Sequence, residues 1–194
     1  MKKIICVLLA LAVVLSLSAC SSNKPDKVVQ LYLNGYLEMN CNMMQEAVLD
    51  QQDDIITMMQ GDDSLEKKLI DIAREQMSYK ITKTEYSDDK KTAYVTVDIT
   101  TKDLSQLLTQ AISACYEWIF DQIINGGNAS DAELYDKIYN YVLDSVKDIN
   151  DTVTYTVKFV LTKDQDGNWK IDPQQYGKEL INSLLANMFG SYWE

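Results

Sequence analysis

Val153-Thr154-Tyr155-Thr156-Val157-Lys158-Phe159-Val160-Leu161, then Asp164-Gln165-Asp166-Gly167-Asn168, then Trp169-Lys170-Ile171, is the stretch on which the reading of the fold turns. Val153, Tyr155, Val157, Phe159 and Leu161 alternate with Thr152, Thr154, Thr156 and Lys158. A period of two is that of a strand with one face in a core and one in water. Asp-Gly between two such runs signals a hairpin, and Asp172-Pro173 stops the returning strand. The pattern occurs once before. Ala93, Val95, Val97 and Ile99 alternate with Tyr94, Thr96, Asp98 and Thr100, preceded by a strand at Tyr79 and Ile81 and the turn cluster Ser87-Asp88-Asp89-Lys90. Two antiparallel hairpins, about four strands, are expected.

Working outward, apolar residues recur at spacings of three and four. Pro25-Asp26 opens a helix whose stripe, Val28, Val29, Tyr32, Leu33, Tyr36 and Leu37, predicts one long element to about Leu49. A short helix is expected over Gln51–Gln60. A third follows the capping cluster Asp62-Asp63-Ser64, with Leu65, Leu69, Ile72, Ala73 and Met77 inward. Between the hairpins, residues 103–147 read as an αα-hairpin. Its first helix carries Leu104, Leu107, Leu108, Ala111, Ile112, Cys115, Ile119 and Ile123. Tyr116, Trp118, Phe120 and Ile124 widen that stripe, so cover on two sides is expected. Gly126-Gly127-Asn128 ends it, and Ser130-Asp131 caps the second, which carries Leu134, Tyr135, Ile138, Tyr141, Val142 and Val146. A last helix is expected from Gln174 to Phe189. Hairpins interleaved with helices make the class α+β.

The N-terminus has a different character. Lys2 and Lys3 precede an apolar run from Ile4 to Leu17, and Ser18-Ala19 supply small residues before Cys20. These are the zones of a secretory signal peptide over residues 1–19. The run falls short of the roughly 20 apolar residues that span a bilayer. Leu17-Ser18-Ala19-Cys20 resembles the lipobox of bacterial lipoproteins. The resemblance implies cleavage between Ala19 and Cys20 and a thioether-linked diacylglycerol on Cys20, hence a lipid anchor on the extracytoplasmic face of the cell membrane. Residues 20–24 then form a lipidated polar tether. About four residues at roughly 3.5 Å each reach about 15 Å, and 25–194 is expected as a single domain.

Composition narrows the function classes. Without Lys2 and Lys3, the 18 basic residues become 16 against 29 acidic ones, a net charge of −13. Phosphate backbones require neutralisation by Lys and Arg, so nucleic acid is excluded as a partner. Broad contact with anionic headgroups is disfavoured. The chain has no histidine, which removes Ser-His-Asp and Cys-His nucleophiles and the commonest metal ligand. Of four cysteines, Cys41 and Cys115 remain after Cys6 leaves and Cys20 is lipidated. They form one disulfide or stay as two buried thiols; they do not make a usual zinc site. No metal or cofactor is expected. Asp164-x-Asp166-Gly167-Asn168 departs from a calcium loop, which places Gly sixth and Glu twelfth between helices.

Lys163-Asp164-Gln165-Asp166-Gly167-Asn168-Trp169-Lys170-Ile171-Asp172, together with the opening Lys27-Val28-Val29-Gln30-Leu31-Tyr32-Leu33 helix, resembles small Firmicutes lipoproteins with a nuclear-transport-factor-2-like domain. The resemblance implies a curved antiparallel sheet wrapped around helices as a cone with a pocket. The helix pair at 103–147 and the final helix depart from the family and bear on whether that pocket is open. Some members use Asp and Tyr in the cone for proton transfer. Here Asp53-Asp54, Asp62-Asp63 and Asp88-Asp89 sit at helix starts and turns, where Asp caps, and Asp98 points outward. The expectation is a non-catalytic binding module of no identifiable specific activity. It would take an envelope protein or a small apolar ligand; the alternative is a small-molecule enzyme with an Asp/Tyr pocket.

Overall fold

Ala93, Val95, Val97 and Ile99 are fully buried while Tyr94, Thr96, Asp98 and Thr100 are half-exposed, so the alternation in the sequence becomes the two faces of a strand. The computed structural model describes residues 23–49, 53–61, 65–127 and 130–175, with Leu180 and Ser183. Strands β1 (Ser78–Tyr86), β2 (Thr92–Lys102), β3 (Thr152–Lys163) and β4 (Trp169–Ile171) form one open antiparallel sheet in the order β1-β2-β3-β4. In β3 and β4, Leu161 faces Ile171, Thr162 faces Lys170 and Lys163 faces Trp169. The class is α+β, with two hairpins and a helix pair between them, as expected.

The helices are α1 (Pro25–Leu37), α2 (Cys41–Ala47), α3 (Asp54–Gln60), α4 (Leu65–Glu75), α5 (Leu107–Ile124) and α6 (Asp131–Ser145), followed by a 3₁₀ turn at Val146–Asp148. The long first helix expected to Leu49 is two helices. Met39 adopts a left-handed φ of 55°. The Asn40 N–H donates to the Gly35 carbonyl at 2.8 Å and the Met39 N–H to the Tyr36 carbonyl at 3.2 Å. These two bonds close a Schellman ending. The Asn40 side chain then accepts the Met43 N–H at 3.3 Å and starts α2. Gly35 permits the fold-back: a Cβ there would lie 2.8 Å from Met44 Cγ.

Two further boundaries move. The helix expected from Asp103 begins at Leu107, and strand β2 continues past Thr100 through Thr101 and Lys102. Both are buried and bonded: Thr101 Oγ1 donates to the Ala73 carbonyl at 3.0 Å and Lys102 Nζ to the Val146 carbonyl at 3.2 Å. Asp103 then ties the chain down, its N–H on the Asp151 carbonyl and its carboxylate on the Ser105 N–H. The cap expected at Asp62-Asp63-Ser64 lies outside the described residues. So does most of the last helix, of which Pro173–Gln175, Leu180 and Ser183 are described as helical.

Within the span 25–194 two compact units are distinguished. The first draws on described residues within 23–56, 81–97 and 158–175. Its core is Val29, Tyr32, Leu33 and Tyr36 of α1, Met44 of α2, Val95 and Val97 of β2, Phe159 and Leu161 of β3, and Ile171 of β4. Tyr32 meets Phe159 edge to face at 6.1 Å. The second draws on residues within 57–80 and 98–157, with Leu180 and Ser183. Its core includes Ile70, Ala73, Ile99, Leu104, Leu107, Ala111, Val142, Val146 and Val157. Each large apolar side chain so buried contributes about 1.5–3 kcal/mol.

Candidate functional site

In the second unit, α5 changes character along its length. Leu107, Ala111 and Cys115 are buried, four residues apart on one face. Beyond Cys115 the apolar residues emerge: Tyr116, Phe120, Ile123 and Ile124 are 61–76% exposed, as is Tyr135 of α6 at 63%. The cover expected on a second side of α5 is therefore not made at these residues. A groove of about 140 Å³ runs between the helices, lined by Ile112, Cys115, Tyr116, Ile119, Leu134 and Ile138. The hairpin geometry is set locally. Gly126, at φ 73°, ends α5. Ser130 accepts the Glu133 N–H while Glu133 accepts the Ser130 N–H, a capping box that starts α6. These Ser130 bonds hold the Glu133 carboxyl below its usual range. Glu117, Asp121, Asp131 and Asp136 are exposed along the two helices, with Lys137 as a lone cation in this run. A contiguous apolar surface rimmed by charge is characteristic of interaction sites.

The first unit holds a buried carboxylate. Asp53, 2% exposed, accepts the Tyr32 hydroxyl at 3.0 and 3.2 Å on its two oxygens and the Ile56 N–H at 2.9 Å. The capping role expected of Asp53 is thus realised at the start of α3. Its tyrosine partner was not legible in the sequence, because 21 residues and a helix break separate the two. In the second unit, burial pushes the Tyr155 hydroxyl up, and the nearby Asp103 charge adds to the effect.

The remaining sequence candidates fall as follows. Ala19 and Cys20 lie outside the described residues. Cys41, half-buried, and Cys115, buried, are free thiols in this structure. Burial raises the Cys115 thiol above its usual range, against a smaller opposite pull from Lys137. Asp98 faces outward on β2 and accepts the Thr156 hydroxyl at 2.8 Å. The Asp164–Asn168 segment is the expected hairpin turn. Asp164 Oδ1 accepts the N–H groups of Asp166 and Asn168 at 3.0 and 2.8 Å, which holds that carboxyl low, and Gly167 takes φ 81°. Among the described residues, no group of three or more His, Cys, Asp or Glu side chains is placed to hold a metal, and no helix is long and apolar enough to cross a membrane.

One feature of the first unit has no strong sequence signal. Asn23 Nδ2 donates to Asn168 Oδ1 at 2.6 Å, and Asn23 Oδ1 accepts the Trp169 N–H at 2.9 Å. The chain is thereby pinned to the β3–β4 turn two residues before α1 begins. Beside this pin is a cleft of about 650 Å³ whose walls include Lys27, Leu31, Glu46, Trp169 and Lys170. Lys170 Nζ crosses it to the Glu46 carbonyl.

No protein-family model matches this chain, and no match was found among curated proteins or solved structures.

Proposed function

We propose that this chain is a lipid-anchored protein of the cell envelope, held on the extracytoplasmic face by a diacylglycerol on Cys20, whose folded part is a non-catalytic binding module. The observation that carries the binding half is the exposed run Tyr116, Phe120, Ile123 and Ile124 on α5 beside the groove to α6. The occupant that suits this surface is an amphipathic segment of another envelope protein, apolar on one side and flanked by Lys or Arg. Apolar anchors fill the groove, and cations meet Glu117, Asp121, Asp131 and Asp136. A second copy of the chain would set these carboxylates against themselves, which disfavours it. A photo-cross-linking residue at Ile124 in intact cells tests the reading. A discrete protein adduct that disappears with Phe120→Asp supports it; no adduct, or one indifferent to that substitution, defeats it.

The buried Tyr32–Asp53 pair favours one second reading, a small-molecule enzyme. Against it, both Asp53 oxygens accept the Tyr32 hydroxyl and one caps α3, which accounts for the carboxylate structurally. Tyr32→Phe keeps the ring in the core and removes the hydroxyl. Undiminished adduct formation by this folded variant is expected of a binding module. The Cys20 half of the proposal stands separately: Cys20→Ala abolishes incorporation of labelled lipid, and persistent labelling would refute the anchor.

A further inference from the structure

We infer that the end of the first unit carrying Asn23, the β3–β4 turn and Trp169 lies against the phospholipid headgroups of the bilayer that holds Cys20. The inference rests on the lipid-anchor reading above and adds to it a fixed orientation. Its first support is reach. The described chain begins at Asn23, bonded to Asn168 and Trp169. Three residues back to Cys20 span at most about 10 Å. The acyl-bearing residue therefore lies no more than about 10 Å from this pin.

The second support is the chemistry gathered there. Trp169 stands between two hollows. One is the cleft with Lys27 and Lys170; the other, of about 310 Å³, is lined by Tyr86, Lys90 and Lys163. The Tyr86 and Trp169 rings are 5.9 Å apart, and the Lys163 ammonium lies 5.1 Å from the Trp169 ring centre. Trp169 is itself buried at 8% exposure, so the surface is made by Tyr86, 51% exposed, and the surrounding lysines, whose polar tips on long apolar stems suit the headgroup layer of a membrane.

Charge supplies the third support. Around this end, six lysines, Lys24, Lys27, Lys90, Lys91, Lys163 and Lys170, stand with seven carboxylates, Asp26, Glu46, Asp88, Asp89, Asp164, Asp166 and Asp172. The region is thus nearly balanced in a chain whose net charge without Lys2 and Lys3 is −13. Two of those carboxylates are also turned onto their own turns. Asp164 accepts the Asp166 and Asn168 N–H groups, and Asp89 accepts the Ser87 hydroxyl and the Lys91 N–H. Net acidity opposes broad contact with an anionic leaflet, whereas this narrow face meets it with little repulsion.

The test uses the full lipidated protein, with Cys41→Ala and Cys115→Ala, in vesicles of phosphatidylcholine and phosphatidylglycerol carrying a headgroup nitroxide. A fluorophore is placed through Asp166→Cys in the turn or through Glu38→Cys past the far end of α1, a 13-residue helix about 20 Å long. Quenching severalfold stronger at 166 than at 38 is expected, and Lys27→Glu with Lys163→Glu should narrow the difference. Asn23→Ala should reduce it while the protein stays on the vesicles. Equal quenching at 166 and 38 in vesicle-bound protein overturns the orientation and leaves the anchor standing. If Cys20 instead reacts with the thiol fluorophore and the protein does not partition to vesicles, the anchor fails and the inference falls with it.

Discussion

Helices α1 and α5 carry the same kind of stripe and end up in opposite circumstances. On α1, Tyr32 and Tyr36 recur four residues apart and are 0 and 1% exposed. On α5, Tyr116 and Phe120 recur at the same interval and are 61 and 65% exposed. The difference is in what the fold sets against each stripe. α1 has α2 and β4 packed on it and Phe159 against Tyr32, whereas α5 has α6 beside it and an open groove between. Periodicity reports that a helix has an apolar face. It does not report whether that face is filled within the chain.

The sharpest way to break this contrast is to truncate one residue from each stripe. Leu33→Ala on α1 should destabilise the protein by about 2–5 kcal/mol through lost transfer energy and the cavity left behind, read as a lower urea midpoint. Next is the link between α1 and α3. Asp53→Ala removes the acceptor of the Tyr32 hydroxyl and the cap on Ile56, and should lower stability by about 1–3 kcal/mol in the same assay. On the open side, Ser130→Ala removes half of the capping box and should cost about 1 kcal/mol, seen as faster amide exchange in the first turn of α6. Phe120→Ala should change the unfolding free energy by less than about 0.5 kcal/mol while weakening the cross-linked adduct proposed above. A large stability loss there would mean the exposed face belongs to the core after all.

The capping box also gives a pH test. Glu133 is held below its ordinary value of 4.5 by the Ser130 N–H and hydroxyl. Its contribution is therefore present above that value. It is lost as pH falls, because the unfolded chain takes up the proton first. Amide protection at the start of α6 in the wild type should decline below pH 4.5, and Glu133→Gln should flatten that decline.

Local signals carry the hairpins and the caps. Both hairpins, the Asp164–Asn168 turn and the Ser130 cap follow from neighbours in sequence and appear where the pattern puts them. Failures occur where local and distant terms compete. The apolar period runs unbroken across Met39-Asn40, and the break there depends on Gly35 admitting Met44, a contact between separate helices. Strand β2 outran its expected end because Thr101 and Lys102 find carbonyls on Ala73 and Val146, which only the tertiary fold supplies. Asp53 was legible as a cap but not as the partner of Tyr32. The exposed end of α5 and the Asn23 pin were not legible, since exposure and a bond across 145 positions are properties of the folded chain alone.

The Asn23 contacts also bear on the order in which the molecule can be made. A chain emerging N-terminus first presents α1 early, but the strand residues that bury Tyr32 and receive Asn23 arrive only at Phe159 and Trp169. Such closure at long sequence separation is slow, and it leaves the apolar face of α1 uncovered in the meantime. The first unit therefore cannot be completed until Trp169 has emerged. Until then the segment that starts first waits with its apolar face open to aggregation or to a chaperone.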